Sequence, residues 1–216
     1  GVAIGGVLVD SGRFDWEASG KFDTLTAPYA GFHNMDFEEE SGTRAFLLRA
    51  RREGLCDLGA CMAPMTAFQT LQVMETLHLR MPRHVENTRK VVAYLSSHSS
   101  VEKVLYPELK DHPDHDLCRK LLPNGAGAVF SFDIKGGRKA GKAFIEALRV
   151  FSHLANVGDA KSLVIHPATT THYRMSDADL KKAGIGPGTV RLSIGLEDAQ
   201  DLIEDLDRAL KAAARA

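Results

Sequence analysis

Hydrophobic positions along this 216-residue chain change texture near Ser100. The opening stretch, Gly1 to Asp10, is an apolar, β-rich run with no preceding cap, turn or polar lead. It reads as a strand already inside a sheet; such a strand needs neighbours, and these can lie outside this chain. From Ser11 to about Asn34 the aromatics Phe14, Trp16, Phe22, Tyr29 and Phe32 recur without period, which predicts a long loop that makes contacts. Helical spacing returns between Phe37 and Arg52, through Ala45, Phe46, Leu48 and Ala50, with Gly54 as the stop. Pro64 suits a first helical turn, where its missing N–H costs nothing, and Phe68, Leu71, Val73, Met74, Leu77 and Met81 continue the stripe. Pro82 removes a donor and crowds the preceding turn, so two long helical pieces hinged there are expected, the second carrying Val85, Thr88, Val91, Val92 and Leu95.

Beyond Ser100 short strands and helices alternate. The pattern predicts strands over 101–106, 126–134, around 151–155, 163–166 and 189–194, and helices over 115–122 and 139–148. Ser176 caps a further helix that stops at Gly184. Asp198 caps the last one, whose stripe of Leu202, Ile203, Leu206 and Leu210 faces a core. The fold class expected is α/β plus α+β, with residues 1–80 forming one region and 81–216 a small α+β domain around a largely antiparallel sheet.

Charge narrows the partners. Lys plus Arg number 27 against 28 Asp plus Glu, so no positive field exists to attract nucleic acid or an anionic membrane. No run of about 18 apolar residues could span a bilayer. Cys56, Cys61 and Cys118 form an odd set without zinc-ligand spacing, which fits a reducing cytoplasm. The ligand-rich run Asp111 to Asp116 holds Pro113 and reads as an exposed turn, so no metal is expected. Gly184 to Gly188 precedes a strand and lacks the Lys-Ser/Thr pair of a phosphate loop. No Gly-x-Ser-x-Gly elbow supports a nucleophilic hydrolase.

Two late blocks carry the remaining signal: His153 to His172, containing Ala155-Asn156-Val157-Gly158 and Lys161-Ser162-Leu163, and Val190-Arg191-Leu192-Ser193-Ile194-Gly195-Leu196-Glu197-Asp198. Read alone, Arg191 is a surface residue of a strand, facing away from Val190 and Leu192, and Asn156 is as readily a turn residue ahead of Gly158. Together the blocks resemble the signature region of the Cys/Met metabolism family of pyridoxal-phosphate enzymes, and Ile4 to Gly12 resembles the strand that follows that family's cofactor lysine. The resemblance covers essentially the whole chain.

It implies a fold-type I pyridoxal-phosphate-dependent transferase, with 1–80 as the C-terminal end of the large cofactor-binding domain and 81–216 as the small C-terminal domain. It implies that Arg191 clamps the substrate α-carboxylate, that Asn156 donates to the same group, and that Val157 contributes backbone only. Ser162 and Thr169, with Thr170, Thr171 and His172, would support the pocket from behind. The segment from Phe22 to Gly59 resembles an insertion of the sulfhydrylase branch, although Val73 stands where that branch often has Gly. That branch takes O-acetyl-L-homoserine and sulfide or a thiol to homocysteine or methionine, and works as a dimer of dimers. A cystathionine γ-synthase or γ-lyase relative, or a non-catalytic interaction module, remains open. No catalytic residue is expected in this chain: the resemblance puts the Schiff-base lysine upstream of residue 1, leaves pyridoxal 5'-phosphate held mainly by the other half, and implies that the chain alone is inactive.

Overall fold

The computed structural model describes residues 2–216, which divide into two compact units, 2–73 and 74–216. The expected opening strand is not formed. Residue 1 lies outside the described residues, and 2–10 form no regular element, with Val2, Ile4, Val7, Leu8 and Val9 exposed. A strand is defined by a partner's hydrogen-bond ladder, and no described segment pairs with this one.

The first unit corrects the long-loop expectation. Residues 11–34 contain helices α1 (Trp16–Ser19) and α2 (Asp23–Thr26) and a 3-10 turn (Ala30–Phe32). Their aromatics pack on one another: Phe14, Trp16 and Phe22 meet with ring centres 4.6–5.7 Å apart. Helices α3 (Phe37–Ser41) and α4 (Ala45–Arg49) follow, and Leu25, Phe37 and Ala45 form a small buried core. Gly54 does not end the helical run, which continues through a π-helix at Ala50–Asp57. There Arg49 pairs with Glu53 at 2.7 Å and lies 4.9 Å from the Tyr29 ring centre, tying the turn to the aromatic cluster. Helix α5 (Pro64–Met74) begins on its proline, as expected.

In the second unit, helix α6 (Leu77–Ser97) continues through Pro82, and the interruption falls earlier, at Glu75 and Thr76. Pro82 leaves the His78 carbonyl without its helical donor, but both residues are exposed and water can serve that oxygen. The remaining elements are β1 (Val101–Leu105), α7 (His115–Leu121), β2 (Val129–Ile134), α8 (Gly137–Ala147), β3 (Ser152–His153), β4 (Leu163–Ile165), α9 (Asp177–Lys182), β5 (Thr189–Ser193) and α10 (Ala199–Ala213). Their order matches the sequence pattern, and the caps do too: Ser176 Oγ accepts from Asp179 N, and the Asp198 carboxylate from Gln200 N.

The five strands form one sheet in the order β1-β2-β5-β4-β3, antiparallel except for the β3–β4 pair. Phe130, Phe132, Val164, Val190 and Leu192 point from it into a core shared with Leu95 of α6, Phe144 of α8 and Leu202, Leu206 and Leu210 of α10. All the helical stripe residues expected of α10 are buried or packed on that core. Phe144 has no exposed surface and meets Phe132 edge-on at 5.8 Å. Replacing Phe144 with Ala should therefore cost about 3–5 kcal/mol, read as a lower denaturant midpoint for the unit 74–216.

Candidate functional site

Strand β5 places the candidate arginine by simple alternation. Val190 and Leu192 are fully buried on the helix-covered face, so Thr189, Arg191 and Ser193 share the other. Central position in the sheet fixes the Arg191 backbone on both sides, opposite Ser131 of β2 and Ile165 of β4. The side chain is half-buried, and its Nη2 donates to the Asn156 carbonyl oxygen at 3.5 Å. Among the described residues its guanidinium has no carboxylate partner. A planar fork with its edges open can take two oxygens of an incoming carboxylate.

Asn156 reaches the same place through the 154–162 loop, between β3 and β4. Its Oδ1 accepts from Val157 N at 2.9 Å, so the backbone donor of Val157 is already used. The exposed Asn156 Nδ2 has no partner among the described residues and is left as a second open donor. The next residue, Gly158, has φ 78°, a conformation that favours glycine, and its N–H donates to Ser193 Oγ at 3.1 Å. The structure thus brings Arg191 and the Asn156–Val157 turn together.

Ser162 is fully buried behind them. Its N–H donates to Glu197 Oε1 at 2.7 Å and its hydroxyl to Glu197 Oε2 at 2.9 Å, while Gly195 N–H donates to Ser162 Oγ at 2.8 Å. On the other side of that turn, His84 Nδ1 donates to the Ile194 carbonyl at 2.7 Å, and Asn87 Nδ2 donates to the carbonyls of Gly195 and Glu197 at 3.1 and 2.8 Å. Sequence reasoning missed Glu197, His84 and Asn87 as contributors. A signal existed: the polar residues His84 and Asn87 flank the stripe of α6 at helical spacing and are nonetheless buried.

Thr169 does not join this group. It bonds the His166 ring, Oγ1 to Nδ1 at 2.8 Å, and Thr170 Oγ1 donates to the His166 carbonyl. His172 pairs with Thr171 at the surface. His166 is fully buried against Gly141, where an added Cβ would come within 2.3 Å of its Nε2. That Nε2 lies 2.9 Å from the Pro187 carbonyl, which can only accept, so the neutral ring carries its proton there and accepts from Thr169 at Nδ1. Burial lowers the His166 pKa; the Pro187 carbonyl opposes the shift and the positive fields of Arg138 and His153 add to it.

The family model for Cys/Met metabolism PLP-dependent enzymes matches residues 1–211. A protein of Thermus thermophilus named O-acetyl-L-homoserine sulfhydrylase 1 is 45% identical over 210 residues, 97% of this chain and 50% of that protein. The homocysteine synthase of Schizosaccharomyces pombe is 44% identical, over 99% of this chain and 50% of its own length. The chain spans about half the length of the curated relatives it matches. Among solved structures, a Campylobacter jejuni protein described as an O-acetylhomoserine (thiol)-lyase, carrying a pyridoxyl-lysine monophosphate, superposes with a TM-score of 0.75 at 38% identity. It covers 88% of this chain and 45% of that one. A cystathionine γ-synthase of Xanthomonas oryzae pv. oryzae in complex with cystathionine gives 0.65 at 39% identity, over 71% of this chain and 39% of that one.

The buried ring of His166 generates a pH prediction. Its folded pKa lies below the ordinary value of 6.5, so the unfolded chain takes up the proton first as pH falls. Stability is complete above about 6.5 and declines below it until the folded pKa is passed. Thermal midpoints measured from neutral to mildly acid pH should show that decline, and H166Q should flatten it.

Proposed function

This chain belongs to the Cys/Met metabolism family of pyridoxal-phosphate-dependent enzymes, and on that premise we propose that it is the C-terminal part of an O-acetylhomoserine sulfhydrylase. The complete protein makes homocysteine from O-acetyl-L-homoserine and sulfide, with acetate as the leaving group. The observation that carries this reading is the Arg191 fork, held at the sheet centre, open at its edges and joined to the Asn156 turn. The names of the curated relatives support the sulfhydrylase branch over the cystathionine synthases and lyases, and the fit to the thiol-lyase structure extends over more of the chain.

The donors present fit the substrate end of a pyridoxal-phosphate site: two unspent cationic and amide donors, and no carboxylate beside Arg191 among the described residues to repel an anion. Bound pyridoxal phosphate supplies an electron sink for the amino acid's α-carbon. Arg191 grips the α-carboxylate bidentately and Asn156 Nδ2 donates to the same group. That grip fixes the amino acid's rotation, so the Cα–H bond and the γ-ester keep a constant direction towards the reacting centre. Val157 shapes the rim with its exposed side chain, while its N–H holds the turn. Ser162 acts by holding the Asn156 loop, whereas Thr169 serves the His166 ring.

In this reading the lysine holding the cofactor comes from sequence outside these 216 residues; Lys21 and Lys161 are both exposed. Residues 1–80 then complete the cofactor-binding domain and 81–216 form the small domain. The exposed apolar residues of α5, Phe68 and Leu71 among them, support burial in a larger homo-oligomer, a dimer of dimers. Free, exposed Cys56 and Cys61 support a reducing cytoplasm.

In the complete protein R191A should lower kcat/KM for O-acetyl-L-homoserine about a hundredfold, from the loss of roughly 3 kcal/mol of charge-assisted pairing, with an unchanged melting temperature. R191K should recover only part of it, and wild-type kcat/KM in R191A would defeat the assignment. After incubation with pyridoxal phosphate and dialysis into cofactor-free buffer, the 216-residue chain should retain no cofactor, measured by visible absorbance.

A further inference from the structure

The loop bearing Asn156 has no regular secondary structure between β3 and β4, yet it must hold its position relative to Arg191 to within a fraction of an ångström for two donors to converge on one carboxylate. Its attachments to β5 itself are slight: the 3.5 Å contact of Arg191 with the Asn156 carbonyl, and the Gly158 N–H on Ser193 Oγ. The firm attachment lies at its far end. Both oxygens of Glu197 are engaged by Ser162, through N–H and hydroxyl, and the same hydroxyl oxygen accepts from Gly195 N–H. Leu196 N–H adds a bond to the Ala160 carbonyl at 2.8 Å.

Proton bookkeeping makes this arrangement specific for a carboxylate. Ser162 has one hydroxyl hydrogen; with Oγ accepting from Gly195, that hydrogen must go to Glu197 Oε2, while Oε1 must accept the Ser162 N–H. Two donors converge on two acceptors; a glutamine amide would have to reverse the second bond, strand the Ser162 hydroxyl hydrogen and lose the charge that strengthens both. The clasp is also sterically closed: a Cβ on Gly195 would stand 2.3 Å from Glu197 Oε2 and 2.5 Å from the Ala160 carbonyl. From the opposite side Asn87 and His84 of α6 hold the three carbonyls of 194, 195 and 197, so the turn bearing Glu197 cannot drift.

We propose that Glu197 is a positioning residue for substrate binding: its carboxylate clasps Ser162 and so sets where Asn156 stands relative to Arg191. This deepens the reading of Arg191 and Asn156 as the carboxylate clamp and rests on it. Glu197 itself touches no substrate.

The test has two arms. In the 216-residue chain, hydrogen exchange of the Val157–Ser162 amides should quicken roughly tenfold or more in E197Q, as expected for loss of charge-assisted bonds, while the amides of β2 keep their rate. S162A, which removes only the hydroxyl, should do the same more weakly and serves if E197Q does not fold. Unchanged loop exchange in the folded variant overturns the clasp. In the complete protein E197Q should raise KM for O-acetyl-L-homoserine roughly tenfold with kcat nearly kept; a fall in kcat at constant KM overturns the positioning role. R191K assayed alongside separates the two readings. If R191K binds substrate normally, the carboxylate clamp fails, whereas a normal E197Q beside a crippled R191K overturns only this proposal.

Discussion

The two-residue period of a β-strand is the constraint on which the site depends. Val190 and Leu192 are pinned in the core by apolar burial, and the residue between them has to emerge on the opposite face. Because β5 lies between β2 and β4, its backbone is laddered on both edges, which fixes where the Arg191 side chain leaves the sheet. A one-residue slip would bury the guanidinium and expose two large aliphatic side chains, so the hydrophobic effect enforces the register that the chemistry needs.

The loop opposite has no such enforcement. It carries small and polar residues, Ala155, Asn156, Gly158 and Asp159, and contributes little apolar area to hold it down. Directional bonds take over instead, and they are layered: α6 holds the 194–197 turn through His84 and Asn87, the turn holds Ser162 through Glu197, and Ser162 closes the loop. The rigid partner of the clamp is thus set by packing, the adaptable one by charge-assisted hydrogen bonds. A second buried polar centre, His166 between Thr169 and Pro187, shapes the neighbouring 166–187 region independently of the first.

Much of this was legible in the residues. Alternation over 189–194, the caps Ser176 and Asp198, and the stripe of α10 give the second unit's elements and its core face, because period and capping are local properties. The facing of Arg191 follows from the same alternation. The first unit was less legible: Phe14, Trp16, Phe22 and Phe46 show no period because they come together from separate short turns, and clustering of that kind is a tertiary event. The opening apolar run finds no partner among the described residues for the same reason, since strand propensity does not supply a neighbour. Pro82 misled because its cost depends on whether the orphaned carbonyl sees water.

By itself, then, the sequence determined the order of elements from Val101 onward and which face of β5 bears the arginine, both set by spacing along a single chain, while the family entered through the resemblance of its late blocks. Only the tertiary structure decided that Thr169 serves His166 instead of the Arg191 site, that the Val157 N–H is already engaged, and that Glu197 reaches back to Ser162. Those outcomes turn on hydrogen-bond partners separated by 3, 1 and 35 positions, and a donor's choice among acceptors is settled by distance and geometry in space.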